Sequence, residues 1–156
     1  MEGGQWRTLA EQRAAAYRLL GELAGGEAVV EHDSQGAPYL PGKPGLSVSI
    51  SHCRTAVAVA VAEGRRVGID VECRRRVGEL LVERVCTAAE RAAIEASADP
   101  TMAFLQLWTC KEAVLKMRGT GIRGFGSMVA ALEGGDCRVV DLETGQPDVV
   151  ASLALL

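Results

Sequence analysis

The sequence is poor in aromatic side chains, which make up 4% of its 156 residues. Its core must therefore rest on valine, leucine, isoleucine and alanine. No apolar run approaches the ~20 residues of a membrane-spanning helix, and no signal-peptide pattern opens the chain, so we expect no membrane partner. The net charge of −3 gives no electrostatic case for nucleic acid as the main partner. None of the five cysteines forms a CxxC pair; this argues against a zinc or disulfide framework and favours a reduced, cytoplasmic setting.

Several catalytic signatures are also missing. The chain has no Walker P-loop, no G-x-G-x-x-G after a strand and no G-x-S-x-G, and it contains only two histidines. P-loop nucleotide binding and triad hydrolysis are therefore not expected. What remains is a small set of acids and lysines in ordered positions.

Two acids lie on one short strand, Val67-Gly68-Ile69-Asp70-Val71-Glu72. Side chains alternate along a strand, so Asp70 and Glu72 leave on the same face, roughly 6.5–7 Å apart. Gly68 shares that face, where the absence of a side chain leaves room for another group to approach the backbone. Two such carboxylates repel each other unless a cation or an arginine neutralises them.

A third acid lies on a predicted helix that contains Trp108-Thr109-Cys110-Lys111-Glu112-Ala113-Val114-Leu115-Lys116. Glu112 and Lys116 are four residues apart and therefore lie side by side. Alone, this pair is typical of a helix surface and worth a few tenths of a kcal/mol. Three carboxylates beside lysines, however, indicate a divalent cation that holds a phosphate, as in phosphoryl or phosphodiester transfer.

The pattern of elements predicts an α+β fold with antiparallel meanders rather than alternating βαβ units. One domain spans residues 1–156, with two modules at roughly 5–63 and 64–156. In the strand at 46–51, apolar residues are expected to face inward and Ser47, Ser49 and Ser51 outward. We predict helices at 8–23, from about 87, and at 101–117, and strands at 46–51, 56–62, 67–72, 127–132, 137–142 and 149–155.

Three motifs occur in a fixed order: S-I-S-H ending at His52, G-I-D-V-E, and W-T-C-K-E-A-V-L-K followed by G-T-G. This order resembles the 4′-phosphopantetheinyl transferase superfamily, and more narrowly its two-module, surfactin-type branch. The resemblance implies a fold of two small helix-plus-antiparallel-sheet modules. It also implies transfer of 4′-phosphopantetheine from coenzyme A to a serine of an acidic acyl or peptidyl carrier protein, with Mg²⁺ as cofactor and 3′,5′-ADP as product.

The resemblance also assigns residues. Asp70, Glu72 and Glu112 match the Mg²⁺ ligands, and Glu112 is also a candidate base for the serine. Lys116 and Lys111 match the lysines that bind the phosphates, and Ser51 with His52 matches the pair that contacts the nucleotide phosphates. The expected catalytic residues are thus Glu112, Asp70 and Lys116.

Two departures from the family pattern concern coenzyme A and the amino terminus. Ala37 stands where the family has a basic residue that meets the 3′-phosphate of coenzyme A, and we expect Lys43 or Arg54 to compensate. The chain is also short at the amino terminus. Either it is a domain of a larger synthase, such as a polyketide synthase, or it is a compact enzyme whose missing surface is supplied by a homo-oligomer.

Two other functions remain open from the sequence. One is a degenerate, non-catalytic module that binds carrier protein or coenzyme A, favoured by Ala37 and the short amino terminus. The other is a metal-dependent phosphodiesterase, which needs more ligands than three acids provide. In the transferase interpretation, the run Arg74-Arg75-Arg76 steers the acidic carrier protein, and residues 77–98 form its docking wall.

Overall fold

A computed structural model describes residues 2–3, 8–120 and 125–156 of the chain. This part contains five helices and eight strands, and the strands pair in an antiparallel way, which confirms the predicted α+β class. The helices are α1 (Leu9–Ala24), α2 (Glu79–Val85), α3 (Ala88–Glu95), α4 (Pro100–Arg118) and α5 (Phe125–Val129). The strands are β1 (Glu2–Gly3), β2 (Glu31–His32), β3 (Pro38–Tyr39), β4 (Leu46–Cys53), β5 (Ala56–Glu63), β6 (Val67–Cys73), β7 (Arg138–Leu142) and β8 (Val149–Leu155).

The strands form three antiparallel sheets within the described residues. The first has the order β1-β5-β4, the second is the β2-β3 hairpin, and the third has the order β6-β8-β7. Helix α1 packs on the first sheet and α4 on the third. Four apolar clusters fill the spaces between these layers: beneath α1, around α2–α5, between the first and third sheets, and between α4 and the third sheet. None of the described helices is both long enough and apolar enough to cross a bilayer.

The ends of α1, α3 and α4 follow local capping rules. The side chains of Thr8 and Thr87 each accept a hydrogen bond from the backbone N–H three residues on. The side chains of Glu11 and Glu90 accept one in turn from the backbone N–H of the capping threonine. Helix α4 begins with Pro100 and ends at Gly119, whose φ of 69° is a left-handed conformation that glycine adopts without strain. The G-T-G segment continues to Gly121, which lies outside the described residues.

The strand predicted at 127–132 is wrong, because α5 and a turn occupy this segment. Met128 and Ala131 are three residues apart, and both are buried against Val85 in the apolar cluster around α2–α5. This spacing is helical, and the short length of the segment concealed it. The strands at 138–142 and 149–155 are present as predicted.

The outward orientation predicted for the serines of β4 is also wrong. Ser49 and Ser51 are buried, because this face of β4 packs against β6 rather than solvent. Each serine stands twenty positions before its partner, so β4 and β6 run side by side in the same direction. The hydroxyls of Ser47, Ser49 and Ser51 accept hydrogen bonds from the backbone N–H groups of Val67, Ile69 and Val71 at 3.2, 3.1 and 3.3 Å.

The glycine on the acidic face of β6 admits the backbone of α4. A Cβ at Gly68 would stand 2.0 Å from the carbonyl oxygen of Ala113 and 2.5 Å from the nitrogen of Met117. The group that approaches this strand is therefore helix α4 itself. This close contact brings Glu112 and Lys116, on the same helix, to the strand that carries Asp70 and Glu72.

Candidate active site

Asp70 is the buried acid of the site, with 6% of its surface exposed. Its Oδ1 accepts a hydrogen bond from Ser51 Oγ at 2.7 Å and from Lys116 Nζ at 2.7 Å. The Lys116 ammonium also donates to the backbone carbonyl of Ile69 at 3.2 Å. Strand β4, strand β6 and helix α4 thus meet at one carboxylate, which Lys116 neutralises.

Glu72 leaves the same face of β6 two residues further on and is more exposed. Arg75 donates two hydrogen bonds to it, at 3.0 and 3.2 Å, and forms an ion pair with it. The two acids predicted to repel each other are therefore each held by a cation of the protein. Lys116 and Arg75 thus supply the positive charges that two carboxylates on one face of a strand require.

Glu112 faces the same space from α4. Burial raises the pKa of its carboxyl group above the ordinary value, and the negative charges of Asp70 and Glu72 raise it further, while Lys116 partly opposes them. These influences require that the helix acid lie within electrostatic reach of both strand acids. The space between β6 and α4 thus carries an excess of negative charge.

The donor set fits a hard cation such as Mg²⁺, which prefers carboxylate oxygens and retains water ligands. In residues 2–3, 8–120 and 125–156, however, no three acid, histidine or cysteine side chains stand close enough, as placed, to coordinate one ion. The acids are instead turned toward Lys116 and Arg75. Burial first and the charges of Asp70 and Glu72 second raise the pKa of Glu112, and a nearby cation would oppose both effects.

A cavity of about 390 Å³ is lined by Ser51 and Lys116, the two residues whose side chains contact Asp70. The β2–β3 hairpin, α1, the end of β4 and α4 each contribute to its wall. Its hydrogen-bonding and charged side chains come from four elements: Arg13, Tyr17, His32, Ser51, His52 and Lys116. Cationic and hydroxyl groups of this kind around a nucleotide-sized space suit a phosphorylated ligand.

A second cavity of about 240 Å³ lies on the other side of Lys116. Gly36, Ala37 and Pro38 of the hairpin line it together with Thr120 at the end of α4. Lys116, Gly36, Pro38 and Ile50 line both cavities. Ala37, which stands at the basic position of the family pattern, therefore borders this space with a methyl group.

The structure does not bring Lys111 to the site, and its predicted role in phosphate binding needs correction. Lys111 is fully buried, and its ammonium donates to the Val85 carbonyl at 2.7 Å and to Glu90 at 2.8 Å. Five residues separate Lys111 from Lys116, which places the two lysines on different sides of α4. Lys111 holds α3 against α4 instead.

Lys43 and Arg54 also lie elsewhere than predicted. The Lys43 ammonium donates to the carbonyl of Ala24, at the end of α1, where helix carbonyls lack partners. Arg54 lines a different groove, beside Cys73, Arg74 and Asp148. Neither residue is among those that border the two cavities beside Lys116.

Sequence reasoning missed Arg13 and His32, which both line the larger cavity. His32 has no motif around it, and its position depends on pairing with Pro38 across the hairpin. Arg13 lies on the same face of α1 as Leu9, Ala16 and Tyr17, at helical spacing. That spacing was visible in the sequence, but it does not tell which face of α1 adjoins β4.

Comparison with known proteins agrees with this arrangement. The sequence profile of the 4′-phosphopantetheinyl transferase superfamily matches residues 66–153, more than half of the chain, including both acidic motifs. The matched segment contains both the acid-bearing strand β6 and the acid- and lysine-bearing helix α4, and the profile is that of a family of transferases. The chain belongs to the 4′-phosphopantetheinyl transferase superfamily.

Individual relatives match the chain over part of their length. It is 32% identical over 120 residues to the 4′-phosphopantetheinyl transferase HetI of Nostoc sp., covering 70% of this chain and 51% of that protein. It is 39% identical over 72 residues to a holo-[acyl-carrier-protein] synthase of Cereibacter sphaeroides, covering 46% of this chain and 48% of that protein. It also matches, at 32% identity, 6% of the fatty acid synthase subunit alpha of Schizosaccharomyces pombe and 71% of this chain.

The chain thus spans about half the length of the transferase relatives it matches. The assignment to the surfactin-type branch and the origin in a polyketide synthase both stay predictions.

Proposed function

We propose that this chain transfers 4′-phosphopantetheine from coenzyme A to a serine hydroxyl of a carrier protein. The observation that carries the proposal is the contact between Lys116 and Asp70 beside a cavity lined by Ser51 and His52, with Glu112 within electrostatic reach of Asp70 and Glu72. The names of the relatives support the same reaction, since they include a phosphopantetheinyl transferase and a holo-[acyl-carrier-protein] synthase.

Asp70, Glu72 and Glu112 are the residues that would hold Mg²⁺. When bound, the ion would neutralise charge on the pyrophosphate of coenzyme A as the bond between its two phosphates breaks. Lys116 and Arg75, which neutralise Asp70 and Glu72 here, would then be free for other anions. Lys116 borders the cavity already and needs only to turn from the carboxylate to a phosphate.

Glu112 is the proposed general base. Its carboxylate faces the strand acids from α4 and is proposed to take the proton of the serine hydroxyl. The serine oxygen forms a bond to the phosphorus next to pantetheine, and the bond from that phosphorus to the oxygen bridging the two phosphates breaks. The products are the phosphopantetheinyl-serine and 3′,5′-ADP.

The larger cavity is proposed to hold the nucleotide end of coenzyme A. Ser51 Oγ donates to Asp70, while His52 and Arg13 offer further donors to a phosphate. Ser51 therefore orients Asp70 from one side while Lys116 contacts it from the other. This arrangement fixes the acid before any ligand binds, which limits the reorganisation that the reaction requires.

The carrier protein is proposed to be acidic, and steering would rest on Arg76 rather than on the whole arginine run. Arg74 is engaged by Asp99 and Asp148, and Arg75 by Glu72. Arg76 is exposed and has no ion pair among the described residues. One unpaired cation at the start of the docking wall still favours approach of a negatively charged partner.

A second candidate is a module that binds coenzyme A or carrier protein without chemistry. It is favoured by Ala37 at the basic position and by the ion pairs that occupy Asp70 and Glu72. Both features weaken ligand or metal binding without removing the cavity. The retained Glu112, whose ionised form is disfavoured by its surroundings, argues against this candidate because a pure binding module gains nothing from it.

The decisive experiment follows the intact mass of an apo carrier protein incubated with the chain, coenzyme A and Mg²⁺. We expect a mass gain of one phosphopantetheine, lost with Asp70→Asn, with Glu112→Gln and when EDTA removes the metal. Glu95→Gln, at an exposed acid at the end of α3, is the matched control and should retain the gain. If the wild-type chain binds coenzyme A but modifies none of several carrier proteins, the binding-module candidate replaces the transferase.

A further inference from the structure

A polar cluster lies between helix α4 and the third sheet, and none of its residues lines the two cavities beside Lys116. Its centre is Ser152 of β8, which is fully buried. The side-chain amide of Gln106 donates to Ser152 Oγ at 2.8 Å and to Asp141 Oδ1 on β7 at 2.7 Å. The hydroxyl oxygens of Thr109 and Ser152 are 2.8 Å apart, which is a hydrogen-bond distance. Directed polar contacts therefore join α4 to two strands of the sheet.

The cluster lies one strand away from the buried acid of the site. Ser152 stands directly opposite Asp70 of β6 on one side and Asp141 of β7 on the other. Side chains directly opposite each other in an antiparallel pair leave on the same face, with Cβ atoms roughly 4.5–5.5 Å apart. Helix α4 covers this face, because Gly68, which shares the face with Asp70, meets the backbone of the helix. Asp70 and Ser152 are therefore neighbouring polar groups beneath the same helix.

Thr109, Glu112 and Lys116 lie on one side of α4. Glu112 comes three residues and Lys116 seven residues after Thr109, so at about 100° per residue all three lie within roughly 60° of one another. Thr109 contacts Ser152, and Lys116 contacts Asp70 at 2.7 Å. Glu112 lies between these two contacts along the helix. The rotation of α4 about its own axis, and with it the direction of Glu112, is thus fixed from both sides.

Apolar packing does not fix this rotation by itself. The buried apolar side chains of α4 face both the third sheet and the cluster around α2–α5, and hydrophobic contacts have no preferred direction. A hydrogen bond between two fully buried hydroxyls is different, because a rotation that separates them leaves polar groups unpaired in the core. Thr109 and Ser152 therefore select one orientation of the helix.

We propose that the hydrogen bond between Thr109 and Ser152 positions Glu112 for the transfer of phosphopantetheine. Neither hydroxyl borders a cavity beside Lys116, so both act through Glu112 rather than on the ligand. The inference rests on the proposed function, because it takes Glu112 as the base for the serine. It adds two positioning residues, one on the helix of the third motif and one on β8, which lies outside all three motifs.

The test measures kcat, and KM for coenzyme A and for the carrier protein, at a temperature where circular dichroism shows every variant folded. Thr109→Val keeps the shape of the side chain and removes the hydroxyl. We expect it to lower kcat about tenfold and to leave both KM values unchanged, since a small misplacement of a reacting group slows the chemical step. Thr109→Ser, which keeps the hydroxyl, should restore most of kcat.

Ser152→Ala removes the other partner of the same hydrogen bond. It should lower kcat to the same extent as Thr109→Val, and the double variant should be no slower than either single variant, because both lose one shared contact. Thr144→Val is the matched control, since the Thr144 hydroxyl also makes hydrogen bonds, to Gln146 and Val149, but lies outside α4. It should keep the wild-type kcat.

A Thr109→Val variant with the same kcat as Thr144→Val overturns the proposal. A double variant whose losses multiply also overturns it, because the two hydroxyls would then act separately. A rise in KM without a fall in kcat would place the effect on ligand binding and overturn it as well. If the wild-type chain itself transfers no phosphopantetheine, the proposed function fails before any variant is compared, and this inference falls with it.

Discussion

Replacing Gly68 by alanine should separate strand β6 from helix α4. The added methyl group would lie 2.0 Å from the Ala113 carbonyl oxygen, whereas ordinary contact begins at 3.4 Å. The two elements must therefore move apart by about 1.4 Å, the difference between these distances. Both atoms that the methyl group meets belong to the backbone of α4, so no side-chain rotation relieves the clash.

The expected cost is about 3 kcal/mol in the free energy of unfolding, at the upper end of the usual range for overpacked cores. Urea unfolding followed by circular dichroism measures it. Gly45→Ala is the matched control, since its methyl group would meet no atom within 4 Å and its φ is not positive. That variant should stay within about 0.5 kcal/mol of the wild-type chain.

The same shift should lower transfer activity beyond what the loss of stability explains. Lys116 and Glu112 move with α4, whereas Asp70 stays on β6, so the 2.7 Å contact between Lys116 and Asp70 must lengthen. Activity is compared at a urea concentration of zero, where both variants are folded. A Gly68→Ala chain that unfolds with the Gly45→Ala chain would refute the close approach of helix and strand.

Two further predictions concern buried polar groups. Ser49→Ala should cost about 1–3 kcal/mol in the free energy of unfolding, because it leaves the buried N–H of Ile69 without its 3.1 Å acceptor. Ser47→Ala, whose site is only part-buried, should cost less. Equal losses for the two variants would contradict the claim that burial of the unpaired N–H sets the cost. Glu112→Gln should raise the free energy of unfolding at neutral pH, because burial and neighbouring acids raise the pKa of Glu112 and its ionised form therefore destabilises the fold. The gain should shrink as the pH falls below the raised pKa of the folded state and vanish only below the ordinary pKa of glutamate, where the unfolded wild-type chain is protonated as well; a gain that persists there would count against this origin.

The helix ends could be predicted from sequence because their signals are local. Thr87 and Glu90 lie three residues apart, and each side chain accepts a hydrogen bond from the backbone N–H of the other residue. This exchange does not depend on the rest of the chain. The grouping of the acids of β6 and α4 into one metal site stays a prediction, and it rests on a different reason. Each motif is short and ordered, and the family resemblance supplies the packing that places them together.

The serine face of β4 could not be predicted in this way. Alternation tells that Ser47, Ser49 and Ser51 share a face but not what covers that face. The partner is the edge of β6, twenty residues away, and its backbone N–H groups leave no mark in the sequence. A polar face was therefore interpreted as a solvated one.

The errors at Lys111 and Arg13 have the same physical origin. Lys111 shares a motif with Glu112, but a helix turns by about 100° per residue, so neighbours in sequence face different surroundings. Arg13 belongs to no motif, and it borders the cavity because α1 happens to pack on the side of β4 that carries His52. Roles that depend on how two elements dock require the tertiary structure.

The hydrogen bonds between the serine hydroxyls of β4 and the backbone of β6 affect how this chain associates with other copies. Strands β4 and β6 are edge strands of their sheets, and they lie beside each other. An edge strand that is exposed to solvent can pair with another chain. Here the N–H groups on that side of β6 are already engaged by serines, so the strand that carries the acids offers no template for aggregation. Another polypeptide would have to extend that sheet at β7, the opposite edge strand, which β8 separates from the strand that carries Asp70.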